Sequence, residues 1–158
     1  MTYIDARGKQ LEAITYSEAL LKMHGLGVHN QIDEHDIAGE EALYDQRIWQ
    51  QQALDTVETF VNASRDNLDS IGAERHAFEG YHDADWQADR GMDPTDPLNA
   101  IRIVFDMARH GAIDPDGPDR VEMEAEIDEQ QQALDMTLDL LGLHGDKVAR
   151  LSGPTLAS

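Results

Sequence analysis

The chain has 158 residues, no cysteine, and 32 acidic against 12 basic side chains, a net charge of -20. This length fits one domain able to bury ~68 to 70% of its extended surface. Without cysteine there is neither a disulfide framework nor a thiolate metal site, and so negative a surface repels phosphate backbones and anionic lipids, which argues against direct nucleic-acid or membrane-surface binding. No apolar run reaches ~18 residues and the first thirty residues hold no signal-peptide core, so a cytoplasmic protein is expected, in the host cell if phage-encoded.

A first helix is predicted over about residues 8–24, from the spacing of Leu11, Ile14, Ala19, Leu20 and Met23, with Gly25 placed to stop it. Thr15 and Glu18 have capping-box spacing, which allows the later start. A long second helix is predicted over 38–71 from the 3, 4 register of Leu43, Leu54, Val57, Val61, Leu68 and Ile71, closed by Gly72. Arg47, Gln50 and Ser64 interrupt that stripe, which suits a bundle helix better than an ideal coiled coil.

Residues 73–95 read as a connector punctuated by Gly80, Gly91 and Pro94, with a short helix around Ala84. Asp96 followed by Pro97 is an N-cap before a first-turn proline, and Gly111 ends that helix. The DPDGP run from Asp114 to Pro118 is a turn, and Pro118 is expected to open a last helix on Met123, Ile127, Leu134, Leu138 and Leu141. A single domain over 1–151 and a flexible tail over 152–158 follow. Gln50–Asp55 and Gln130–Asp135 both read QQQALD. Each copy lies in a long helix after a shorter one, so two related helical hairpins are expected within an all-α, antiparallel bundle.

The charge is uneven. Residues 1–30 balance Arg7, Lys9 and Lys22 against Asp5, Glu12 and Glu18, so the whole excess lies further on. On the second helix Asp55, Glu58, Asp66 and Asp69 share a side with Asn62; on the last, Glu122, Glu126 and Glu129 form one row and Asp128, Asp135 and Asp139 another. Carboxylates three and four positions apart lie ~5 to 6 Å from each other, a separation comparable to that of phosphates along a strand, so such helices can substitute for nucleic acid in front of a basic protein. Halophilic adaptation also accounts for 20 Asp against three Lys. The neutral first thirty residues count against it.

Chemistry-bearing motifs are sparse. Glu79 and His82 have the Glu-x-x-His spacing of carboxylate di-iron bundles, without the second copy such a site needs. The His35-Asp36 and His82-Asp83 dipeptides are of the kind found in all-α metal-dependent phosphohydrolases, but they sit in polar, turn-like context. Glu126 and Glu129 suit magnesium in type, yet Arg120 is the only basic residue near them for a phosphate. No phosphate loop, serine elbow or dinucleotide fingerprint is present. Trp49, Tyr44, Phe78 and Tyr81 suit a core; Trp86, surrounded by Asp83, Asp85, Gln87 and Asp89, is the candidate surface anchor.

These features favour a non-catalytic interaction protein without cofactor or metal. Its expected partner is a protein with a basic surface that normally engages nucleic acid, which it inhibits as a DNA mimic of phage or mobile-element type. A structural or adaptor subunit such as a virion connector component is the alternative, followed by a metal-dependent phosphohydrolase. Asp55, Glu58, Asp66, Asp69, Glu122, Glu126, Glu129, Asp135 and Asp139, with Trp86 as the aromatic anchor, form the expected interaction set, and assembly into a homo-oligomer is compatible with it.

Overall fold

The computed structural model describes residues 2–33, 39–71, 77–80 and 91–151. Its first element corrects the expected first helix: β1 (Thr2–Ile4) and β2 (Gln10–Glu12) form an antiparallel hairpin with Tyr3 opposite Leu11. The turn between them is held by the Asp5 carboxylate, which accepts the N–H groups of Arg7 and Lys9, both at 2.9 Å. Gly8 supplies the left-handed conformation, φ +81°, that the turn requires. Local Asp–Gly turn chemistry thus overrides the loose apolar spacing from Leu11.

Helix α1 (Tyr16–His29) takes the later of the two possible starts. The Thr15 hydroxyl accepts the Glu18 N–H and the Glu18 carboxylate accepts the Thr15 N–H, each at 3.2 Å, which satisfies two of the donors a helix start leaves open. Gly25 does not stop it, because an interior glycine weakens a helix by only about 1 kcal/mol. Helix α2 (Glu41–Ile71) bends at Ser64 (φ -117°, ψ 15°). Helix α3 (Pro97–Gly111) is capped by Asp96, which accepts the Asn99 N–H at 3.1 Å. Pro118 does not open the last helix; turns occupy 115–123, and α4 (Glu124–Leu151) follows, bending at His144 (φ -128°, ψ 17°). The result is the expected all-α bundle with a small hairpin added. Residues 152–158, and the connector segments 72–76 and 81–90, lie outside the described residues.

The core gathers Leu20 and Met23 of α1, Leu54, Val57 and Val61 of α2, Ile101, Ile103 and Val104 of α3, and Leu140 of α4. A Cβ on Gly27 would fall 2.9 Å from Val104 Cγ1, so α1 and α3 approach as closely as they do because residue 27 has no side chain.

The two hairpins α1–α2 and α3–α4 correspond in their caps, buried positions and bends. Moving 81 positions along the chain carries the N-cap Thr15 to the N-cap Asp96, and buried Ala19, Leu20, Met23 and Gly27 to buried Ala100, Ile101, Val104 and Ala108. Moving 80 positions carries buried Ala53, Leu54, Val57, Phe60, Val61, Ser64 and Leu68 to buried Ala133, Leu134, Thr137, Leu140, Leu141, His144 and Val148, so the two bends coincide as well. The shared QQQALD plays the same part in both halves, because Gln50 Oε1 accepts the Ile32 N–H at 3.0 Å and Gln130 Oε1 accepts the Ile113 N–H at 2.8 Å. Each glutamine satisfies a backbone donor in the loop after its preceding short helix.

One approach between the halves is reciprocal. Asn30 Nδ2 donates to the Met107 carbonyl at 2.9 Å, while a Cβ on Gly111, the counterpart of Asn30, would lie 3.6 Å from the carbonyl of Leu26, the counterpart of Met107. That reciprocity is the pattern of a two-fold axis between α1 and α3.

Candidate protein-docking faces

The acidic residues separate into three environments. On α2, Asp55, Glu58 and Asp66 are exposed, whereas Asp69 is half-buried and accepts the Ser17 N–H at 3.2 Å. Asp55 accepts a hydrogen bond from Gln51 Nε2 at 2.9 Å. No described Lys or Arg pairs with Asp55, Glu58 or Asp66.

At the start of α4, Glu122, Glu126 and Glu129 are also exposed, but this end of the bundle is partly neutralised by the hairpin. Lys9 Nζ lies 2.7 Å from Glu124 and 2.8 Å from Asp128, and Arg7 bridges Asp5 and Asp128, both at 2.7 Å. Partial burial pushes the Asp128 carboxyl up, but the hydrogen bonds from Lys9 and Arg7 outweigh it and hold it below the usual range. Lys22 reaches Glu129 at 4.0 Å. The three basic residues of the first thirty thus all face α4, and none of them reaches the exposed carboxylates of α2.

Asp135 and Asp139 belong to neither face. They are 5% and 3% exposed, covered by the N-terminal hairpin and by the strand-like segment at 77–79, so the expected acidic row through them is corrected: it points inward. The Ala6 N–H donates to Asp135 Oδ2 at 2.8 Å and the Glu79 N–H to Asp139 Oδ1 at 3.2 Å. Gln132 Nε2 donates to the Glu12 carbonyl at 2.9 Å, and Phe78 N–H to the Ile4 carbonyl at 2.7 Å. Burial, reinforced by the nearby charge of Asp5, pushes the Asp135 carboxyl up to about 6 against the hydrogen bond from Ala6 and the charge of Arg7. Tyr3 is 2% exposed in this seat, where burial first and then the charges of Asp139 and Asp135 drive its ionisation far up, and its hydroxyl has no hydrogen-bond partner among the described residues.

The aromatic expectations divide too. Trp49 is half-buried and donates Nε1–H to the Met92 carbonyl at 3.0 Å, Phe78 is half-buried against the core, and Tyr44 is 53% exposed. Trp86, His35, Asp36, Tyr81, His82 and Asp83 lie outside the described residues. Among the described residues no three His, Asp or Glu side chains converge as metal ligands.

Residue periodicity did not disclose what lies beside the α2 carboxylates. A groove of about 340 Å³ runs between α2 and the start of α3, lined by Asp55, Thr56, Thr59, Phe60, Ala63, Thr95 and Pro97. Tyr44 and Ile48, the latter 40% exposed, continue the same side of α2 towards its N-terminus. The one available signal was their four-residue spacing, out of step with the buried stripe. A second cleft, of about 320 Å³ between α1 and α4, is lined by Lys22, Leu26, His29, Glu126 and Glu129. Among the described residues no helix is long and apolar enough to cross a membrane. No protein-family model, no curated protein and no solved structure matches this chain.

Proposed function

We propose that the protein is a non-catalytic acidic interaction protein that docks, through the outer face of α2, on the basic surface of a nucleic-acid-binding protein and blocks it as a mimic of the nucleic acid, in the manner of a phage or mobile-element inhibitor. The observation that carries this reading is that Asp55, Glu58 and Asp66 lie exposed on one side of α2 with no described Lys or Arg paired to them, whereas the carboxylates at the start of α4 are met by Arg7, Lys9 and Lys22. Unpaired like charges three and four positions apart weaken a helix, a cost that an opposite surface reverses on docking. The adjoining groove offers desolvated contact where charge alone would supply mainly on-rate.

Retention of DNA-binding proteins on the immobilised protein tests the proposal. Basic proteins are expected to be held at about 0.1 M salt, to be released as screening rises, and to lose their DNA when the free protein is added. The triple variant Asp55→Lys, Glu58→Lys, Asp66→Lys should lower retention at least about tenfold. Equal retention by the triple variant sinks the proposal.

A further inference from the structure

The two-fold relation between the halves allows the groove on α2 to be compared with its own counterpart. Moved 80 positions, Tyr44, Ile48, Gln52, Asp55 and Thr59 become Glu124, Asp128, Gln132, Asp135 and Asp139. The first four of those residues hold the N-terminal hairpin: Glu124 and Asp128 take Lys9, Asp128 takes Arg7, Gln132 donates to Glu12, and Asp135 accepts the Ala6 N–H. Asp139 is buried one turn further on and accepts the Glu79 N–H. At the other wall, Pro97 of the groove corresponds to Tyr16, which is buried in the same core as Tyr3. Through Asp55, Thr59 and Pro97 the groove on α2 therefore occupies the place that corresponds to the hairpin seat on α4, and it is left open.

We propose that this groove receives an extended, basic segment of a protein partner, in which one aromatic side chain enters between Thr59, Phe60 and Pro97 and a main-chain N–H donates to Asp55. The protein's own hairpin shows the mode of binding: an aromatic residue at Tyr3, a main-chain donor three positions on at Ala6, and cations at Arg7 and Lys9. Two differences adapt the open copy to an external ligand. Thr59 replaces the buried carboxylate of Asp139, so an aromatic ring enters without facing a second negative charge. Glu58, three positions from Asp55, stays exposed, so a cation of an incoming segment finds a partner there, and Asp66 offers another further along the helix. Tyr44 and Ile48 extend the seat with apolar contact where α4 has Glu124 and Asp128. The inference rests on the acidic-docking reading above and specifies its partner as an extended basic peptide with an aromatic anchor.

The probe is a fluorescent synthetic peptide of the protein's own residues 2–12 carrying Asp5→Lys and Glu12→Lys, titrated into the full chain and followed by anisotropy. The peptide is expected to bind, and Ala63→Trp, which fills the groove from an exposed position, is expected to weaken it about tenfold or more. A peptide that also carries Tyr3→Ala should be weakened by a similar factor. Thr59→Trp provides a second groove-filling variant, and far-UV circular dichroism confirms that each variant is folded. Indifference to both groove-filling variants and to loss of the tyrosine, with binding still abolished by Glu58→Lys and Asp66→Lys, overturns the seat while the acidic-docking reading stands. Absence of binding by any peptide overturns the seat as well, and retention of DNA-binding proteins then decides the docking reading by itself. Sedimentation as a dimer that Ala63→Trp dissociates would make a second copy's hairpin the occupant and overturn the partner named here.

Discussion

Asp55 and Asp135 close the same hexapeptide at equivalent places on two long helices, yet one is exposed to solvent and the other accepts the Ala6 N–H at 2.8 Å beneath the hairpin. Their backbone settings match; their surroundings do not, because only Asp135 is buried.

Stability is therefore expected to depend on pH through Asp135. Its native pKa, about 6, exceeds its ordinary 3.8, so the folded state binds this proton more tightly and the group contributes stability that is gained as pH falls through about 6 and lost as it rises. Asp128, held below the usual range, acts in the opposite sense in more acid solution. Asp135→Asn should raise stability by on the order of 2 kcal/mol near neutral pH and flatten the pH dependence between about 4 and 6. Thermal melts of both proteins across that range check this, and parallel curves would refute it.

Tyr3→Phe is expected to stabilise the hairpin. The Tyr3 hydroxyl is buried without a hydrogen-bond partner among the described residues, and its removal relieves a desolvated polar group at a cost of no contact, a gain of about 1 kcal/mol. Denaturant unfolding measures it; a loss of stability would mean that the hydroxyl is satisfied in solution.

The two neighbouring glycines of α1 should respond in opposite directions. A Cβ on Gly25 meets nothing within 4 Å, so Gly25→Ala gains the helix-propensity difference of about 0.5 to 1 kcal/mol. Gly27→Ala drives its Cβ against Val104 Cγ1 at 2.9 Å and Leu54 Cδ2 at 3.3 Å, where a stiff β-branched side chain cannot yield, and overpacking of about 1 to 3 kcal/mol outweighs that gain. Equal midpoints for the two variants would contradict the close approach of α1 and α3.

Thr15→Ala and Asp96→Ala should each cost about 1 kcal/mol, since both residues cap the first helix of their half in the same way. Because Thr15 belongs to a reciprocal capping box and Asp96 is followed by a proline already suited to the first turn, the Thr15 variant is expected to be the more damaging. Calorimetry of the pair decides the order.

The helical signals legible in the sequence were those carried by neighbours a few positions apart. Thr15 with Glu18, and Asp96 with Pro97, announce helix starts through contacts confined to one turn, and the repeated QQQALD marks the correspondence of the two hairpins because both copies keep the glutamine that reaches back to the preceding loop. The hairpin escaped because its strands are three residues each, too short for an alternating pattern to stand out. The burial of Asp135 and Asp139 escaped for the same reason at longer range: it depends on Ala6 and Glu79, which lie 129 and 60 positions away. The groove beside Asp55 is set by Thr95 and Pro97 meeting α2, a relation that no single helix encodes.

The correspondence across α1 and α3 frees this chain from a constraint that a symmetric dimer obeys. A chain of half this length, pairing with a second copy of itself about the same axis, would build the same core and would present two identical seats, both closed or both open. A single chain that carries both halves is under no such obligation. Position 59 can then be a threonine while position 139 is a buried aspartate, so the seat on α4 holds the chain's own hairpin while its counterpart on α2 stays open.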